Sequence, residues 1–177
     1  MSGQIAIGDE APNFDLSSTE DALLMLKDEV VRTAIVVYFF ADPASDRAHR
    51  DLDALNRGLD SLARAGARVL GVSPAKLDEL KKLQVDRKLL FPLLHDDRGF
   101  SAAYGVRPPD GSQEEGKTSD PALVVVSRRQ RVLWLANPVA TVESALPQAL
   151  AAIKGLPSGT ETYNKNVINR WVDRWVN

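Results

Sequence analysis

TAIVVYFFADPASDRAHRDL, residues 33–52, decides the fold. Its first half, TAIVVYFFA (33–41), is an apolar run rich in β-branched and aromatic residues. Such a run fits a strand covered on both faces, as in a sheet flanked by helices. A short Asp/Pro/Ser turn follows. Ser45 then stands as an N-cap, with Asp46 in the first helical turn. Ala48, Leu52, Leu55, Leu59 and Leu62 recur in steps of four, three, four and three, which is one apolar stripe on a helix. Ala65-Gly66 ends it.

Toward the C-terminus the same alternation continues. ARVLGVS (67–73) reads as a second buried strand, and Pro74 in a first turn leads into a helix over 75–86. FPLLHD (91–96) is a short strand, and FSAAYGV (100–106) a short helix ending near Gly105. Residues 107–120 are a loop of Pro, Gly and charge without periodicity. ALVVVS (122–127) and RVLWLA (131–136), joined by a tight basic turn, form an antiparallel hairpin. Residues 141–156 form a helix with a kink or break expected at Pro147. NKNVINRWVDRWVN (164–177) is a final amphipathic helix. Toward the N-terminus, residues 21–31 read as a short amphipathic helix offering Leu23, Leu24, Leu26 and Val30 for burial, and 5–16 as an extended lead-in. Alternating strands and helices with a late hairpin predict an α/β fold, a three-layer α/β/α sandwich on a mixed sheet. One domain over 1–156 carries a linker and helix over 157–177.

Composition narrows the chemistry. The net charge is −2, with 44% hydrophobic and 26% charged residues, so nucleic acid and anionic membranes are not expected partners. The run 34–41 is too short to cross a bilayer, and the N-terminus has no signal-peptide pattern, so a cytoplasmic location is expected. The chain has no cysteine. That excludes disulfides, thiolate metal sites and thiol nucleophiles. Neither histidine has metal-site spacing, and no metal or cofactor is expected.

IGDEAPNFDLSS (7–18), with its G-x-x-A-P-x-F pattern, resembles the opening of the peroxiredoxins (the AhpC/TSA family), especially their bacterioferritin-comigratory branch. AGARVLGVSPAKLDELKKL (65–83), FPLLHDDRGFSAAYGV (91–106) and PALVVVSRRQRVLWL (121–135) are similar to later segments in the same order. The resemblance covers roughly residues 5–156 and implies a thioredoxin-like fold. In that family a Pro, a Thr or Ser four residues on, and a peroxidatic Cys three further form the site. The matching positions are Ala41, Ser45 and Ala48. The family's activating Arg precedes the hairpin, where Pro121 stands here. The resemblance therefore implies an antioxidant-enzyme scaffold with a degenerate site and no thiol peroxidase activity.

Each candidate has a plain structural reading beside a functional one. Ala48 reads as a core residue and Ser45 as an N-cap; the functional alternative for Ser45 is a hydroxyl at an anion-binding helix start. His49 and His95 read as surface histidines, with His49 also offering a neutral base at a helix N-terminus. Pro121 is either an ordinary strand start or, as thioredoxin-like proteins imply, a cis-proline edge that holds extended peptides. Trp171 and Trp175 either dock on the domain or bind a second copy in a homodimer. Three functions follow: a non-catalytic scaffold with a protein or peptide partner, a redox enzyme working through His49 and Ser45, or a peptide-holding adaptor at Pro121.

Overall fold

The computed structural model describes residues 5–106 and 121–155. Seven strands form one sheet: β1 (Asp15–Ser18), β2 (Leu23–Met25), β3 (Ala34–Phe39), β4 (Ala67–Ser73), β5 (Leu93–His95), β6 (Ala122–Val126) and β7 (Val132–Ala136). Their spatial order is β2-β1-β5-β4-β3-β6-β7. The helices are α1 (Leu26–Glu29), α2 (Asp46–Arg64), α3 (Leu77–Arg87) and α4 (Val142–Ile153), and Phe100–Tyr104 forms a 3-10 turn.

β3, the quoted apolar run, lies between β4 and β6, and all six of its residues are buried. It pairs parallel with β4 and antiparallel with β6. Side chains alternate across it. Val36, Tyr38 and Phe40 join Leu52 and Leu55 of α2 in one core. Ile35, Val37 and Phe39 join Phe14, Leu16 and Tyr104 in the other. β3-α2-β4 and β4-α3-β5 are successive crossovers stepping the same way along the sheet. The right-handed rule puts α2 and α3 on one face, where residues of α4 complete the first core. The lead-in, α1 and the 3-10 turn make the thinner third layer.

Gly71 of β4 shows how tightly the first layer sits. A Cβ there would lie 2.5 Å from Leu93 Cδ2, so any larger residue would force that buried side chain to move.

The structure corrects the reading of residues 21–31. They form strand β2 and then the one-turn helix α1, not a single helix. β1 supplies an antiparallel partner, Asp15 opposite Met25, and main-chain pairing outweighs the weak helical pattern of so short a stretch. Leu23, expected inside, is exposed. Pro74 precedes α3 rather than opening it, since the helix starts at Leu77. Pro147 does not break α4, which runs on to Ile153. Packing of Val142, Ala145 and Ala149 on the core offsets the hydrogen bond that Pro147 cannot donate. Residues 107–120 and 156–177, including Trp171, Trp175 and the terminal helix, lie outside the described residues.

Candidate functional site

The junction between β3 and α2 places the expected site at the carboxyl end of β3, an interior strand of the sheet. Ser45 caps α2: its Oγ accepts from Ala48 N at 3.1 Å and donates to the Asp42 carbonyl at 3.1 Å. Ala48 is 2% exposed and packs in the core with Leu52 and Leu55. Ala41 is half-buried, and its carbonyl lies 3.5 Å from Ser73 Oγ. His49 Nε2 lies 2.8 Å from the Pro43 carbonyl. A carbonyl only accepts, so Nε2 carries the proton and the ring fastens the turn. His95 Nδ1 is likewise 2.7 Å from the Ala75 carbonyl. Each imidazole is thereby anchored to a backbone carbonyl through one ring nitrogen.

The best-connected group here is one that sequence reasoning missed. Asp51 is 3% exposed and receives three donors. Tyr38 Oη donates to Oδ2 at 2.8 Å, Arg47 Nε to Oδ2 at 3.1 Å, and Val142 N to Oδ1 at 3.0 Å. Arg47 Nη2 also donates to the Val139 carbonyl. The first turns of α2 are thereby tied to β3 beneath and to the start of α4 beside them. Burial, then the Asp51 charge and hydrogen bond, push the Tyr38 phenol far above its ordinary range. A legible signal existed: Arg47 and Asp51 are spaced i, i+4, and Asp51 borders the apolar stripe.

Pro121 belongs to the same end of the molecule. Ala122 pairs with Phe39, and the Pro121 carbonyl accepts from Val139 N at 2.9 Å. Val139 therefore links Pro121 to Arg47. The Asp120–Pro121 bond itself lies outside the described residues. Among them, the cis peptide is Asn137–Pro138. No group of three or more His, Asp and Glu residues is placed to hold a metal among the described residues. Among them, too, no helix is long and apolar enough to cross a membrane.

Residues 7–135 match the AhpC/TSA family. The chain belongs to the AhpC/TSA family. Two provisionally named peroxiredoxins of Mycobacterium tuberculosis are each 31% identical over 99 residues, covering 55% of this chain and 62% of theirs. The chain thus spans less than two thirds of the curated relatives it matches. Peroxidoxin BcpB from Mycobacterium tuberculosis superposes with a TM-score of 0.76 at 20% identity, over 86% of this chain and 98% of that one. A Xylella fastidiosa PrxQ mutant gives 0.75 at 18% identity over 86% and 98%. Xanthomonas campestris peroxiredoxin Q gives 0.70 at 22% identity over 80% and 90%. At these identities the likeness establishes the thioredoxin-like fold of the AhpC/TSA family. In this member Ser45 remains at the start of α2, and a methyl group occupies the third helical position, at Ala48.

Proposed function

We propose that this AhpC/TSA-family chain is a non-catalytic scaffold whose fold serves binding or structure and whose thiol chemistry is gone. The observation that carries the reading is Ala48, buried in the first turn of α2. Peroxide reduction needs a thiolate at a helix N-terminus, where N–H groups and the dipole favour the anion. The chain has no sulfur nucleophile to place there. The surroundings support the same reading. Ser45 Oγ both donates and accepts within its own cap, and His49 Nε2 donates to the Pro43 carbonyl. The Ser45 bonds weigh against redox work through its hydroxyl. The reading includes a cytoplasmic homodimer in which Trp171 and Trp175 meet the second copy.

Peroxide consumption tests it. With hydrogen peroxide or an alkyl hydroperoxide and a thiol reductant, the purified protein should match the protein-free blank. A protein-dependent rate, lost in Ser45→Ala or His49→Ala, would establish the redox reading instead.

A further inference from the structure

We propose that one ordered water molecule is bound in a cavity at the carboxyl ends of β3 and β4, held by Ser101, Asp96 and Ser73. The cavity has a volume of about 10 Å³. That is room for one water-sized guest, in a pocket partly open to solvent. It is lined by these three polar residues together with apolar side chains that include Phe39, Phe40 and Val106. Ala41, Ser45 and Ala48 do not line it.

The polar atoms explain why it is wet. Ser101 is 4% exposed, and its Oγ has no partner among the described residues. A buried hydroxyl without a partner is costly, and a roomy polar site beside it recruits water. Asp96 is 2% exposed. Its Oδ1 accepts from Phe100 N at 2.8 Å and its Oδ2 from Ser101 N at 2.9 Å. Each oxygen retains a second lone pair. Ser73 Oγ accepts from Ala75 N at 3.2 Å and has acceptor capacity left. A water that accepts from Ser101 Oγ and donates to Asp96 and Ser73 makes three bonds, the usual number for an internal water. It ties the 3-10 turn to the end of β4. Through Ser73 it reaches the Ala41 carbonyl, where the chain leaves β3.

Ser101→Ala distinguishes a wet cavity from a dry one. Water-oxygen magnetic relaxation dispersion counts long-lived internal waters, and the variant should hold one fewer than the native chain. Its Tm should fall by about 2 to 4 °C, because the water's bonds are lost with the hydroxyl. A crystal structure of the native chain should show a density peak within hydrogen-bonding reach of Ser101 Oγ. An unchanged water count overturns the proposal, and so does a rise in Tm. A rise is what removing an unpartnered hydroxyl from a dry cavity produces. Peroxide turnover plays no part in this readout, so it stands or falls apart from the scaffold reading.

Discussion

Asp51 does more for this molecule than any residue of the expected active site. Its carboxylate joins Tyr38, Arg47 and Val142, three groups from three separate elements. Asp51→Ala would leave a buried phenol and a buried N–H without an acceptor, and a half-buried guanidinium without its carboxylate. The expected loss is about 3 kcal/mol, read from urea unfolding. Tyr38→Phe removes one hydrogen bond and keeps the ring stacked 5.5 Å from Phe40, so about 1 kcal/mol is expected. Equal losses in the two variants would contradict a hub at Asp51. The carboxylate and its i, i+4 neighbour Arg47 were visible in the sequence, but its two other partners were not. Tyr38 and Val142 lie 13 and 91 positions away.

At the scale of the element, α2 was legible and its role was not. Its cap, apolar stripe and end are local features, and Ser45→Ala should cost the helix about 1 kcal/mol. What a thiol would meet at position 48 depends on packing. In Ala48→Cys, the helix start favours the thiolate, while burial among Leu52 and Leu55 opposes it. Arg47, next to it in sequence, is already paired with Asp51. Burial should win, so alkylation against pH should place the thiol above about 8.5. A midpoint well below that value would mean the pocket still activates sulfur. β4 offers a second test. Gly71→Ala drives a methyl into Leu93 and should cost about 1 to 3 kcal/mol in thermal or urea unfolding.

Two consequences belong to the whole molecule. Tyr38 and Tyr104 both hold their protons more tightly when folded, chiefly because of burial. Their folded values lie above the unfolded one, so this stabilisation is complete below about pH 10. Above it the unfolded chain ionises first and stability falls, by about 1.4 kcal/mol per pH unit for each tyrosine. Urea titrations across that range should show the decline, and Tyr38→Phe should flatten it. Assembly is the other. Sedimentation should show a dimer that Trp171→Ala with Trp175→Ala converts to a monomer, and an unchanged sedimentation coefficient would remove those residues from the interface.

The sequence by itself determined the alternating strands and helices, the late hairpin, the cap at Ser45 and the absence of any thiol chemistry. Each of these is written in local pattern or in composition, so no distant contact is needed to read it. Tertiary structure decided that residues 21–31 split into β2 and α1, because β1 offers them a ladder. It decided that both histidines anchor to backbone carbonyls through one ring nitrogen and that Arg47, Asp51 and Tyr38 lock the helix start. Those outcomes depend on which groups meet across the fold. Burial then sets the value of each meeting, and neither is encoded in neighbouring letters.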